Sequence, residues 1–182
     1  KLGKDFGSLA RPLPVKQDGV VEVIEVFWYG CGHCFNLAPA VSSWSKKKDS
    51  SVNFRKMPVT WGPVHQLHAK LFYTIEALGI GETGHTAVFT AIHKEGNFLS
   101  SDGAILDFLE KLGMDRSETI KYMNSFSVRQ KVKRAIEISK QFKVTATPMM
   151  FVDGQYRVEA KGGSSKMLKV VDHVIELQKP IS

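Results

Sequence analysis

Two cysteines in 182 residues are too few for the disulfide framework that holds small secreted domains together, so an apolar core must carry the fold. Glycine and proline are sparse as well, at 15 and 7 residues, and no segment is compositionally biased, which excludes collagen-like repeats and disordered linkers. Long hydrophobic runs are missing. A membrane-spanning helix needs about 20 apolar residues, and the longest run, Val20 to Tyr29, is interrupted by Glu22 and Glu25. The chain begins at Lys1 with neither a Met nor an apolar leader, as expected of a processed or trimmed chain. With 43% hydrophobic and 24% charged residues it reads as globular, and at about 150 residues per domain it holds one domain with an insertion or two small ones.

Acidic residues number 18 against 25 basic ones, a net charge of +7 that would attract nucleic acid if it were clustered. It is dispersed. Lys46, Lys47 and Lys48 fall where a helix should end, and Lys131, Lys133 and Arg134 alternate with apolar residues as on a solvated helix face. No nucleic-acid surface is expected.

The two cysteines, scarce as they are, lie in one tetrapeptide, Cys31-Gly32-His33-Cys34. Val20 to Tyr29 before it is β-branched and aromatic, as in a strand covered on both faces. After it, Leu37/Ala38, Val41 and Trp44 recur at helical spacing to about Lys48, and Ser51 to Pro58 reads as a second strand. Trp61-Gly62-Pro63 then breaks the pattern. Helices are expected over about 65–78, 102–112, 116–124 and 128–142, with Ser101 or Asp102, Asp115 and Ser127 as N-caps and Gly79 and Gly113 just past helix ends. Strands return at Met149 to Val152 and Gln155 to Val158 around an Asp153-Gly154 turn of type I′, and a helix from Ser164 to Lys179 closes the chain. The order is β-α-β, helical insert, β-β-α: an α/β fold with boundaries at 1–62, 63–141 and 142–182.

A CxxC pair sets two thiols one helical turn apart. At a helix N-terminus the exposed amides and the positive end of the dipole favour a thiolate, so Cys31 should have a lowered pKa and exchange, while Cys34 lies deeper. His33 would add to that stabilisation. A more stable dithiol makes the disulfide a stronger oxidant, by about 30 mV for each pKa unit, or about 1.4 kcal/mol. The bland alternatives are an inert disulfide or half a zinc site. Zinc wants four ligands, and the remaining histidines, His65, His68, His85, His93 and His173, offer one HxxH and no second CxxC, so no metal is expected.

Glu25 stands in the apolar strand, where an ionised carboxylate is costly. Two readings are open: it takes the proton of Cys34 during exchange, or it forms a structural ion pair with Lys56 on the next strand. Glu22, on the opposite face, is expected to be solvated.

The segment VIEVFWYGCGHC, the helical insertion and TPMMFVDGQY together resemble the thioredoxin-fold proteins of the DsbA type, thiol:disulfide oxidoreductases of the bacterial periplasm. The resemblance implies a thioredoxin fold with a helical insertion domain and an enzyme that oxidises cysteine pairs in reduced, unfolded secreted proteins. Cys31 would be the substrate-bonded nucleophile, Cys34 the resolving cysteine, His33 the stabiliser of the thiolate and Glu25 the buried acid. Thr147-Pro148 would be a cis peptide whose Thr147 backbone pairs with an extended substrate, with Gly32, Met149 and Trp61 beside it. Pro39 inside the first helix, a fault in a plain helix, fits the same pattern. The redox disulfide would serve without a further cofactor. Reoxidation would come from a quinone-linked membrane protein of the DsbB kind, the chain would act as a monomer, and a signal peptide absent from this sequence would have exported it. Gly32 stands where a typical member has proline, which keeps disulfide isomerase or reductase activity in view; a peptide-binding chaperone is the third alternative.

Overall fold

The structure is a computed structural model that describes residues 3–14 and 18–178. Its strands are β1 (Phe6–Ser8), β2 (Val21–Phe27), β3 (Val52–Pro58), β4 (Met149–Val152) and β5 (Tyr156–Glu159), in the sheet order β1-β5-β4-β2-β3. The helices are α1 (Gly32–Ser45), α2 (Pro63–Ala77), α3 (Gly81–His93), α4 (Asp102–Lys111), α5 (Arg116–Met123), α6 (Phe126–Gln141) and α7 (Ser164–Gln178). They form two compact units. One takes in the described residues up to Phe27, Asn36–Met57 and those from Gln141 onward; the other takes in Trp28–Phe35 and Pro58–Lys140.

The first unit is built on the sheet. β2 pairs antiparallel with β4, setting Val23 against Val152 and Glu25 against Met150, and β4 pairs antiparallel with β5. Alternation puts Val21 and Val23 on one face of β2, where they meet Leu37, Val41 and Trp44 of α1 and Met167, Leu168, Val171, Val174 and Ile175 of α7 in one apolar cluster. Each fully buried aliphatic side chain contributes about 2 kcal/mol, which makes this cluster the main support of the sheet. Asp153 and Gly154 both have positive φ, 54° and 62°, as the turn chemistry predicts, although the register leaves three residues between the paired ends of β4 and β5.

The second unit is helical. Ser101 caps α4 by accepting from the Ala104 N–H at 3.1 Å, and Asp115 caps α5 by accepting from the Glu118 N–H at 2.7 Å. Gly79 and Gly113 follow α2 and α4 with φ of 74° and 88°, which only glycine adopts without strain.

Several expectations need correcting. The helix α3 has no counterpart in the sequence reading, because Gly81 and Gly84 dilute its periodicity. Gly84 is there for packing, since a Cβ would meet Ile75 at 2.7 Å. The edge strand β1 is three residues long and carries too little pattern to be read. The cap of α6 is Ser125, whose Oγ accepts from the Val128 N–H at 3.2 Å, while Ser127 lies inside the helix. α1 stops at Ser45, so Lys48 is past its end and instead donates to Asp172 at 2.5 Å. Glu22 is half-buried and accepts from Arg55 Nε at 3.2 Å rather than standing in water. The expected last helical residue, Lys179, lies outside the described residues.

Candidate active site

β2 ends at Phe27, and the chain turns through Trp28, Tyr29 and Gly30 into α1. The Cys31 N–H donates to the Trp28 carbonyl at 3.1 Å, closing the turn, and the Cys31 carbonyl accepts the first helical bond, from the Phe35 N–H at 3.0 Å. Cys31 is therefore the N-cap of α1. Its Sγ lies where a capping serine or aspartate would place an oxygen, 3.2 Å from the Cys34 N–H that donates to it. A thiolate is a better acceptor for that amide than a thiol, and the dipole of α1 points the same way. Cys31 is half-buried and Cys34 is 1% exposed, the asymmetry expected of an exchanging and a resolving sulfur. Gly32 and His33 are exposed between them. A Cβ on Gly32 would meet nothing within 4 Å, whereas one on Gly30 would strike the Trp28 ring at 2.4 Å.

The two residues before Gly30 are held by histidines. Trp28 Nε1–H donates to His68 Nδ1 at 3.0 Å, which leaves His68 Nε2 to carry the proton and donate to the carbonyls of Phe98 and Leu99 at 3.1 and 3.2 Å. His68 is thus the neutral imidazole, and burial holds its pKa below the ordinary histidine value. The Tyr29 hydroxyl donates to His85 Nδ1, and His85 Nε2 donates to Glu76 Oε1 at 2.6 Å. Burial, helped by the Glu76 charge, raises the Tyr29 pKa well above that of a free phenol, so the hydroxyl stays protonated. His93 Nε2 donates to the Tyr29 carbonyl at 2.7 Å, and its ring stacks on Phe35 with centroids 4.7 Å apart.

In the other unit Glu25 is 1% exposed, with the Lys56 ammonium 3.4 Å from its Oε2. That is the ion pair offered as one of its two readings. The Lys56 Nζ also lies 5.6 Å from the Phe27 ring centroid. Thr147-Pro148 is a cis peptide immediately before β4, with Thr147 half-buried and Pro148 buried. Met149 is 3% exposed, because all four residues of β4 are covered. Trp61 is 47% exposed, with its ring edge-on to His65 at 5.5 Å. Among the described residues no group of three His, Cys, Asp or Glu is placed to hold a metal ion.

Residues 64–174 match the DSBA-like thioredoxin domain. The chain is 36% identical over 179 residues to the thiol:disulfide interchange protein DsbA of Pseudomonas aeruginosa, covering 97% of this chain and 85% of that protein. It belongs to the DSBA-like thioredoxin domain family. The DsbA of Azotobacter vinelandii is 35% identical over 181 residues, covering 98% of this chain and 85% of that protein. The crystal structure of Pseudomonas aeruginosa DsbA superposes with a TM-score of 0.92 at 36% identity, covering 98% of this chain and 94% of that one. The α/β architecture read from the sequence, a thioredoxin fold carrying extra helices, is the DsbA fold.

Sequence reasoning named the cysteines of this DsbA-like chain but missed Trp28, Tyr29, His68, His85, His93 and Glu76. The histidines were weighed as metal ligands and set aside, and that inventory contained the signal. Four of the six histidines fall between positions 65 and 93, an excess of ring donors with no metal pattern to explain it.

Proposed function

We propose that this chain oxidises cysteine pairs in newly secreted proteins by passing on a Cys31–Cys34 disulfide. The chain is a protein disulfide oxidoreductase of the thioredoxin fold. A substrate thiolate attacks Cys31 Sγ, the Cys31–Cys34 bond breaks, and Cys34 leaves with the electron pair. A second substrate thiolate then attacks the substrate sulfur of the mixed disulfide and expels Cys31 as a thiolate. Two electrons have moved from substrate to enzyme, and both cysteines are reduced. The better Cys31 is as an anion, the better it leaves. The single observation that carries this reading is the N-cap position of Cys31, with the Cys34 amide aimed at its sulfur.

The remaining roles follow from the family resemblance. Glu25 carries the proton of Cys34, with Lys56 holding its carboxyl in the strand; His33 stabilises the thiolate; the Thr147 backbone beside Pro148 pairs with an extended substrate, and exposed Trp61 offers it an apolar contact. The redox group is the cysteine pair itself, with no metal or further cofactor. The chain works as a monomer in the periplasm, reached by a removed signal peptide, and a quinone-linked membrane protein of the DsbB kind reoxidises it. No helix among the described residues is long and apolar enough to cross a membrane. The thioredoxin-like part is 1–62 with 142–182, and the helical insertion is 63–141.

The test is trapping. In Cys34→Ala the Cys31 thiolate attacks the disulfide of an oxidised secreted protein, expels one of its sulfurs as a thiolate and is expected to accumulate as the mixed disulfide, all lost when Cys31→Ser is added; absence of adducts in the single variant overturns the assignment of the two sulfurs.

A further inference from the structure

The cysteines of this site are presented by a turn that a set of buried and half-buried rings holds. Trp28 is bonded through its indole to His68, Tyr29 through its hydroxyl to His85 and through its carbonyl to His93, and Phe35, the residue after Cys34, is stacked on His93. His85 is in turn anchored by Glu76, which is 44% exposed at the far end of α2. Two of these histidines, His85 and His93, come from α3, and one of them reaches both flanks of the CxxC segment. We propose that His93 and the Glu76–His85 pair are positioning residues for disulfide exchange: acting through Tyr29, they fix the turn so that the sulfur of Cys31 stays within reach of the amides opening α1.

Their influence runs through geometry. The Cys31 Sγ to Cys34 N–H contact is a bond to a large, soft acceptor, and its value for a thiolate falls quickly if the turn that places Cys31 wanders. Tyr29 is the residue through which wandering is restrained, because its side chain and its carbonyl are bonded separately to partners on one rigid helix. The same reasoning explains why the tyrosine is buried with its hydroxyl intact: a phenylalanine would fill the space and pack against Phe72 and Phe89 but would give His85 nothing to hold. The titratable groups facing Tyr29 are His85 and Glu76, His93 at its carbonyl, and His68, whose ring lies edge-on at 6.2 Å.

The proposal rests on Cys31 being the exchanging sulfur, and the test separates the two. In a Cys34→Ala background, where Cys31 is the sole thiol, the rate of alkylation by iodoacetamide is followed against pH, with the melting temperature measured alongside. His93→Ala and Tyr29→Phe are each expected to move the alkylation midpoint upward by half a pH unit or more, about threefold less thiolate at a fixed pH below it. His93→Gln, which restores an N–H toward the carbonyl, is expected to recover most of the shift. Variants that melt at lower temperature with an unmoved midpoint would show these groups to be structural only and overturn the proposal. Tyr29→Phe decides alone if His93→Ala does not fold. A background protein whose Cys31 already ionises like a free thiol would overturn the reading beneath the proposal instead.

Discussion

In the sheet-bearing unit the buried polar side chain is a charged carboxylate, whereas around the CxxC turn of the helical unit the buried polar side chains are rings. Glu25, 1% exposed in β2, is matched by the Lys56 ammonium 3.4 Å away, and Glu22 by Arg55. His68 is matched by hydrogen bonds whose donors and acceptors are fixed by chemistry, an indole that can only donate and carbonyls that can only accept, and Tyr29 is paired with His85 through its hydroxyl. A charge in low dielectric is unforgiving of a lost partner but indifferent to fine geometry; a ring with two directed bonds costs less to bury and dictates orientation. The first arrangement suits a proton carrier inside a strand, and the second suits a turn that must present a sulfur.

The comparison breaks most easily at the ion pair. Lys56→Met strands the Glu25 carboxylate and is expected to cost about 3 kcal/mol by urea unfolding, with Glu25→Leu in the same chain returning most of it. A cost below about 1 kcal/mol would mean that the charge of Lys56 matters little to Glu25.

How much of this was legible in the sequence differs between the two units for a physical reason. The unbroken β-branched and aromatic run of β2, the helical stripe of α7 and the Asp153-Gly154 turn are local signals, each read from residues that are neighbours in the chain, and they place the first unit well. The CxxC and Glu25 were equally visible because both are local anomalies, scarce cysteines in one tetrapeptide and a carboxylate in an apolar run. The partners of Trp28 and Tyr29 lie 40 to 64 residues away, on helices of which one, α3, is masked by its glycines. Side-chain bonds across such distances leave no periodicity to read.

The neutral ring of His68 predicts a pH response. His68 has a folded pKa held below the unfolded value of about 6.5. Its contribution to stability is therefore complete above that pH and is lost as pH falls below it, because the unfolded chain then binds the extra proton. Unfolding free energy is expected to drop by about 1 kcal/mol per pH unit below pH 6, and His68→Gln, less stable at pH 7, should flatten the slope. An unchanged slope would remove His68 from the neutral network.

Smaller effects sharpen the contrast within the helices. Asp115→Ala deletes the cap of α5 and should cost about 1 kcal/mol, lowering the thermal midpoint while the rate of disulfide exchange stays as it is. A changed exchange rate would tie α5 to the site. Gly32→Pro sits at the first position of α1, exposed and with open space for a side chain, so it should stabilise by about 0.5 kcal/mol in thermal unfolding; destabilisation would show that the Gly32 amide is already used.

The most direct test of the central claim is the equilibrium of the Cys31–Cys34 pair with a glutathione buffer, read as the fraction of dithiol against the redox ratio. A Cys31 anion stabilised at the head of α1 predicts a reduction potential well above the roughly −270 mV of a thioredoxin. A value at or below that level would mean that the pair gives electrons rather than takes them, and the role of disulfide donor would be contradicted.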